Sequence, residues 1–153
     1  MDAFETILTR RSVRRFTNQQ VPKELIEKII TAGIHAPSSK NSQPWHFIVD
    51  NTEKKNKIAE LLEAEIKIKG HEQFSVKIPG TNKNARPPTA LDSARILREC
   101  NTAIFIFSTA PFTGGRKQVL QYPDMNSLLA YSSEIESIAA SSQNMLLTAH
   151  SFG

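Results

Sequence analysis

The last third of the chain carries the longest periodic pattern, and this pattern restricts the fold more than any other feature. Apolar or small residues recur there every three or four positions, at Leu128, Tyr131, Ile135, Ile138, Ser142, Met145 and Ala149. Such spacing predicts one long amphipathic helix. The small residues in its middle, Ala139 to Ser142, predict that another helix approaches it closely.

Helical and strand patterns both occur upstream, which predicts an α+β fold. Asp2 is placed to cap a first helix, and Pro22 suits the first turn of a second one. Short apolar runs at 45–49 and 103–108 predict two strands. The second run is apolar on both faces, so we expect it at the centre of the sheet.

The middle of the chain combines two further helical patterns with a stretch that lacks apolar periodicity. Thr52 is placed to cap a third helix, and a short helix is predicted over 91–99. Residues 70–90 between them hold two glycines and three prolines. We predict a long loop there, of a length typical of a functional lid.

Length and composition are those of one globular domain over residues 1–153. The chain has 19 Lys and Arg against 15 Asp and Glu, a formal charge of +4, which is compatible with an anionic ligand. The one cysteine, Cys100, excludes a disulfide framework and favours a reducing compartment. The sequence contains no apolar run long enough to span a membrane and no signal-peptide pattern at Met1, so we expect a cytoplasmic protein.

Several catalytic and binding motifs are absent from the sequence. The glycines form neither GxGxxG nor GxxxxGK, the histidines form no HExxH, and one cysteine cannot build a CxxC metal site. The sequence also lacks a GxSxG nucleophile motif. We therefore predict no bound metal and no catalytic side chain, so that a bound cofactor supplies the reactive group if the protein is an enzyme.

A cluster of arginines follows the first predicted helix in the sequence RRSVRR, which comprises Arg10, Arg11, Ser12, Arg14 and Arg15. Guanidinium groups bind phosphate through two parallel hydrogen bonds and stay charged when partly desolvated. The cluster therefore suits a phosphomonoester. A solvated basic turn and a nucleic-acid-binding patch remain as alternatives at this point.

The second polar segment, APSSKNSQPW, joins the second helix to the first strand. Its serine, asparagine and glutamine side chains both donate and accept hydrogen bonds, and Pro37 and Pro44 restrict the backbone around them. Such a loop suits a polar ring edge or a ribityl chain. A connection that merely caps its own backbone is the alternative.

Taken together, three segments resemble the nitroreductase family of flavin enzymes: RRSVRRF, APSSKNSQPWHFIV and IAASSQNMLLTAHSFG. The resemblance implies an α+β sandwich whose central mixed or antiparallel sheet is flanked by helices, assembled as an intertwined homodimer. It also implies FMN bound at the subunit interface, NAD(P)H as reductant and a small acceptor such as a nitroaromatic or a quinone. Nucleic acid, membrane and metal are not expected as partners.

The resemblance also implies which residues bind the cofactor. Those matching the phosphate and ribityl contacts are Arg10, Arg11 and Ser12, and Arg14 matches a basic residue at the pyrimidine edge of the flavin. A cation there stabilises the negative charge of reduced flavin. Residues matching the loop that reaches the partner subunit's flavin are Pro37, Ser38, Ser39 and Asn41. Arg95 matches a further basic contact.

Family members usually continue well beyond the point that matches Gly153, so we interpret the sequence as truncated at its C-terminus relative to the family. The first hypothesis is an FMN-dependent oxidoreductase. The alternative is a truncated flavin-binding or dimerisation module without turnover, and a weaker third is nucleic-acid binding through RRSVRR. The physiological acceptor and the choice between NADH and NADPH stay open.

Overall fold

The computed structural model describes residues 1–69, 76–77, 84–85, 90–121 and 124–153. Contacts between residues divide the chain into two compact units. The first unit comprises Met1–Ser12, Val21–Val49 and Ile104–Gly153, and the second comprises Val13–Gln20 and Asp50–Ala103.

The described elements are six α-helices, one short 3-10 helix (Ser39–Asn41) and four strands. The helices are α1 (Ala3–Thr9), α2 (Lys23–Ile34), α3 (Lys54–Lys69), α4 (Ala90–Glu99), α5 (Arg116–Gln121) and α6 (Met125–Ser151). The strands are β1 (Trp45–Asp50), β2 (Val76–Lys77), β3 (Asn84–Ala85) and β4 (Ala103–Ser108). All the predicted helices and both predicted strands are therefore confirmed, and the content is α+β as expected. Asp2 caps α1 as predicted, because its side chain accepts a hydrogen bond from the Glu5 N–H at 2.8 Å.

Helix α6 packs against α2 in the first unit, and the contact depends on small residues from both helices. A Cβ atom added to Gly33 would lie 3.1 Å from Ser141 Oγ and 2.9 Å from the side chain of Met145. The Asn144 side chain donates a hydrogen bond to the Ala32 carbonyl at 3.2 Å across the same contact. The close approach predicted from the small residues of α6 is therefore confirmed.

Strands β1 and β4 pair with each other, and the first unit holds all of both except Asp50 and Ala103. Among the described strands, β1 is the neighbour of β4, so the expected central position of β4 is not found. Its residues are half-buried or exposed, and Phe107 is 49% exposed. An apolar strand sequence indicates that the faces of the strand avoid water. It does not determine how many other strands form hydrogen bonds with it.

The second unit is built on the packing of α3 against α4. Ala59 and Ala94 are fully buried, and Arg98 of α4 forms an ion pair with Glu63 of α3 at 2.8 Å. Burial also raises the pKa of the Cys100 thiol, which donates a hydrogen bond to the Leu97 carbonyl. Cys100 is thus a buried small side chain at the end of α4.

Most of the predicted loop over 70–90 lies outside the described residues. Within it, β2 and β3 pair antiparallel, with Val76 opposite Ala85 and Lys77 opposite Asn84. Across the described parts of the chain, no helix has both the length and the hydropathy needed to cross a membrane.

Candidate functional site

The polar segment between α2 and β1 folds into a tight turn, which we call the polar loop (residues 37–43). Its backbone closes on itself through hydrogen bonds from the Asn41 N–H to the Ser38 carbonyl and from the Ser42 N–H to the Ser39 carbonyl, both 3.0 Å. The Ser38 hydroxyl accepts a further bond from the Gln43 N–H at 3.0 Å. The short polar side chains seen in the sequence therefore satisfy much of the loop's own backbone.

The polar loop holds three non-glycine residues in the left-handed region of backbone space. The φ angles are 52° at Lys40, 53° at Asn41 and 44° at Gln43. Asparagine tolerates this conformation, but lysine and glutamine each carry a cost of about 1–2 kcal/mol. Strain of this kind persists only where the surroundings hold it, and it is concentrated at binding sites.

Contacts with the rest of the first unit hold the polar loop in place. The Ser39 N–H donates to the hydroxyl of Ser137 in α6 at 3.1 Å, and that buried hydroxyl donates in turn to the Ser133 carbonyl at 2.6 Å. The Lys40 ammonium lies 5.5 Å from the centre of the Phe112 ring, within cation–π distance. The loop therefore presents Asn41 and Gln43 to solvent from a fixed backbone.

The arginine cluster follows the end of α1. Arg10 ends that helix, with its N–H donating to the Thr6 carbonyl at 3.1 Å. The Arg11 guanidinium donates to the carbonyls of Leu8 and Arg10, each at 2.9 Å. Among the described residues, no carboxylate forms an ion pair with Arg10 or Arg11. Their positive charge is therefore not neutralised by the described part of the chain, and an anionic ligand can use it.

Two further predicted contacts lie in the second unit and touch each other. The Arg95 guanidinium donates to the Arg14 carbonyl at 3.3 Å and pairs with Glu99 at 2.7 Å. The Arg14 side chain itself is exposed. The structure therefore brings these two predicted residues together through the backbone of Arg14.

The other predicted residues lie in the first unit, in two places. Arg10, Arg11 and Ser12 follow α1, while Pro37, Ser38, Ser39 and Asn41 form the polar loop. No hydrogen bond between described residues joins the two places within one chain. The resemblance assigned them to opposite subunits of a dimer, so their role toward one shared cofactor stays a prediction.

The sequence analysis did not identify two residues that support the site region. One is Ser137, the anchor of the polar loop. The other is Glu134, which is 1% exposed and accepts bonds from the Phe112 N–H at 2.9 Å and the Thr113 hydroxyl at 3.0 Å. Glu134 lies one helical turn before Ile138 of the periodic pattern. A carboxylate on the inward side of a helix was the signal that could have identified it.

The chemistry available at these places is that of binding and charge. The polar loop offers amide and hydroxyl groups, and the arginine cluster offers guanidinium groups. In the described residues, no group of three or more His, Cys, Asp or Glu side chains is arranged to hold a metal ion. These are the kinds of group that bind a polar ring and a phosphate, respectively.

Comparison with known proteins gives consistent results. A family model described as the nitroreductase family matches residues 7–153. A curated relative from Methanothermobacter thermautotrophicus, named "Putative NADH dehydrogenase/NAD(P)H nitroreductase", is 48% identical over 62 residues, which are 40% of this chain and 32% of that protein.

Two solved structures show the same fold. A crystal structure from Parabacteroides distasonis, whose protein carries the same name, is 28% identical with a TM-score of 0.61, over 99% of this chain and 63% of that one. Another, from Desulfovibrio desulfuricans, described as a "putative nitroreductase in complex with fmn", is 24% identical with a TM-score of 0.62, over 98% of this chain and 63% of that one. The chain thus spans less than two thirds of the length of these relatives.

Proposed function

This chain belongs to the nitroreductase family, and on that premise we propose that it is an FMN-dependent oxidoreductase. In this proposal it takes hydride from NAD(P)H and passes electrons to a small acceptor, such as a nitroaromatic or a quinone. The shared fold supports the proposal, as does the FMN named for one of the structural neighbours. The homodimer and the cytoplasmic location expected from the sequence form part of the same proposal.

The observation that carries the proposal is the polar loop. Left-handed backbone at Lys40, Asn41 and Gln43 is held by the loop's own hydrogen bonds and by Ser137. A loop that is fixed before its ligand arrives loses less conformational entropy on binding. Backbone strain of this kind is concentrated at functional sites, which supports a binding role for the loop.

The described residues fit an FMN molecule by their chemistry. Arg10, Arg11 and Ser12 would hold its phosphate and ribityl chain, since the two guanidinium groups are not paired with carboxylates in the described residues. In the proposal, Arg14 places positive charge near the pyrimidine edge, and Arg95, which is paired with Glu99, would be a further flavin contact. Pro37, Ser38, Ser39 and Asn41 of the partner subunit would contact the same flavin.

Bound FMN would supply the hydride and electron transfer that none of the side chains can perform. The contribution of this chain is to bind and orient the cofactor. Its arginines favour the negatively charged form of the ring, because fixed cations lower the free energy of a nearby anion. Solvent can deliver the proton, so the proposal names no general acid.

The test is to purify the protein and record the absorption spectrum before and after adding FMN. We expect a yellow protein, or a colourless one that takes up FMN in a one-to-one ratio per chain. A folded protein that stays colourless after reconstitution contradicts the proposal. Arg11→Gln should weaken FMN binding roughly ten- to a hundredfold, the loss of one charged hydrogen-bonding group. Arg116→Gln, an exposed arginine of α5, is the matched control and should bind FMN normally.

Turnover separates the enzyme from the flavin-binding module without turnover. NAD(P)H oxidation is measured with menadione or nitrofurazone as acceptor. Turnover that depends on bound FMN supports the oxidoreductase. FMN binding without NAD(P)H oxidation by either acceptor favours the module.

A further inference from the structure

A polar groove lies entirely within the second unit, between the segment 13–20 and the C-terminal half of α4. Its cavity volume is about 820 Å³, which is within the range of small-molecule sites. The residues that matter for its chemistry are Arg15, Phe16, Arg95, Arg98, Glu99 and Asn101. The sequence analysis named Arg15 in the arginine cluster and Arg95 as a flavin contact, but it did not predict this groove.

The lining of the groove is rich in guanidinium groups. The lining contains three arginines and one glutamate, Glu99, which is paired with Arg95 at 2.7 Å. Arg98 forms an ion pair with Glu63 of α3 at 2.8 Å, which restricts the orientation of its guanidinium group. Arg15 forms no hydrogen bond or ion pair within the described parts of the chain. Arg15 is thus the one lining arginine without a described carboxylate partner, while Arg95 and Arg98 keep N–H groups outside their ion pairs. Phosphate oxygens are the acceptors that such guanidinium groups match best, so the lining suits a phosphomonoester.

Hydrogen bonds connect the two walls of the groove, and an aromatic ring belongs to one of them. The Asn101 amide donates to the carbonyls of Thr17 at 3.4 Å and Gln19 at 2.9 Å, which fastens the segment 13–20 to the end of α4. Phe16 belongs to the segment 13–20 and is 42% exposed. A partly exposed ring beside cations offers a surface on which the flat base of a nucleotide can stack.

We propose that this groove binds the adenosine 2′-phosphate end of NADPH, so that the protein uses NADPH in preference to NADH. The inference rests on the proposed function, which requires a nicotinamide reductant without choosing between the two. The 2′-phosphate is a monoester with close to two negative charges at neutral pH, and an adenine ring lies next to it. NADH lacks this group, and the pyrophosphate that both coenzymes share is a diester with one charge on each phosphorus.

The first experiment titrates the full chain, with any flavin it holds, by calorimetry with 2′-AMP, adenosine and inorganic phosphate. We expect 2′-AMP to bind more tightly than either of the others. Arg15→Gln should weaken 2′-AMP binding roughly ten- to a hundredfold, while Arg116→Gln should leave it unchanged. Adenosine or phosphate binding as tightly as 2′-AMP overturns the proposal, as does an Arg15→Gln protein with normal affinity.

The second experiment measures steady-state oxidation of NADPH and of NADH with menadione. A lower KM for NADPH is expected, and Arg15→Gln should raise that KM roughly ten- to a hundredfold. The same variant should leave the KM for NADH unchanged. Equal KM values for the two coenzymes in the unmodified protein contradict the proposal. If the protein oxidises neither coenzyme, the proposed function fails, and the 2′-AMP titration still decides whether the groove binds a phosphorylated adenosine.

Discussion

Single polar side chains hold the loops around the candidate site in place. Ser137 reaches the polar loop from α6, and Glu134, one turn earlier, reaches the segment that follows β4. Both side chains lie in a buried environment, where a lost partner leaves a polar group without a hydrogen bond. Substituting either residue should therefore lower the stability of the protein more than substituting an exposed residue does.

Replacing Ser137 tests whether the polar loop must be anchored to bind FMN. Ser137→Ala leaves the Ser39 N–H without its acceptor, so we expect the protein to lose about 1 kcal/mol of stability. We also expect weaker FMN binding, because the loop would no longer be fixed before the ligand arrives. Chemical denaturation and fluorescence titration with FMN measure the two effects. Ser133→Ala, one turn away, is the control and should retain normal FMN affinity, and an unchanged affinity in Ser137→Ala contradicts the anchoring role.

The Glu134 carboxylate accepts two hydrogen bonds in a buried position, so truncating it should be costly. Glu134→Ala removes the acceptor for the Phe112 N–H and the Thr113 hydroxyl, and we expect a loss of roughly 2–4 kcal/mol in the free energy of unfolding. Glu134→Gln retains an acceptor and should cost less. Urea denaturation measures both, with exposed Glu136→Ala as the control. Similar midpoints for Glu134→Ala and Glu136→Ala would contradict this account.

At the scale of elements, the stability of α6 depends on its contact with α2 and on its cap at Asp124. Gly33 allows α2 to lie against Ser141 and Met145 with no room for a side chain. Asp124 accepts hydrogen bonds from the N–H groups of Asn126 and Ser127 at the start of the helix. Each feature gives a separate prediction.

A large residue at position 33 should separate the two helices. Gly33→Leu places several carbon atoms where Met145 and Ser141 already lie, so we expect a loss of about 3 kcal/mol or more. Thr31→Leu is the control, because Thr31 is exposed on the same helix. Thermal and urea denaturation distinguish the two variants. A Gly33→Leu protein as stable as Thr31→Leu would show that α2 and α6 do not pack as described.

Because the Asp124 carboxylate caps α6, the stability of the protein should decrease as the pH becomes acidic. Hydrogen bonds from the Ser127 hydroxyl and the N–H groups of Ser127 and Asn126 lower the pKa of Asp124 below its ordinary value. A carboxylate with a lowered pKa stabilises the folded state above its unfolded pKa, and this stabilisation is lost as the pH falls through the folded pKa. Asp124→Asn keeps the cap but cannot titrate, so the difference in Tm between it and the unmodified protein should shrink as the pH falls from 6 to 3. A difference that does not change with pH would contradict the role of the charge.

At the scale of the whole molecule, helix α1 carries an exposed apolar side. Phe4, Ile7 and Leu8 are 72%, 55% and 57% exposed, although the sequence places them on one face of an amphipathic helix. A contiguous apolar surface of this kind is typical of an interface between proteins. It supports the proposed homodimer, in which the polar loop of one chain serves the flavin held by the arginines of the other.

The dimer is tested by placing a charge on that surface. Leu8→Glu should shift the protein from dimer to monomer in sedimentation experiments, because a carboxylate is costly to bury in an apolar interface. FMN binding should fall with it if the cofactor lies between two subunits. Leu61→Glu on α3, where the leucine is 70% exposed, is the matched control and should remain dimeric. Monomeric unmodified protein that binds FMN one-to-one would contradict the shared site.

The sequence by itself determined most of the local structure: five of the six described α-helices, the two main strands, the cap at Asp2 and the polar loop next to its prolines. Helix α5 was not predicted. These features depend on residues a few positions apart, so periodicity and capping chemistry predict them. Their resemblance to a family then indicated the fold and the cofactor.

Only the tertiary structure decided which distant residues meet. Ser39 and Ser137 are 98 positions apart and share a hydrogen bond, and the exposed apolar side of α1 was not visible in its pattern. The groove of the second unit likewise joins Arg15 to residues of α4, which no local motif links. Such contacts arise from the packing of whole elements, where the free energy depends on the shape and charge of both surfaces and not on the sequence of either one alone.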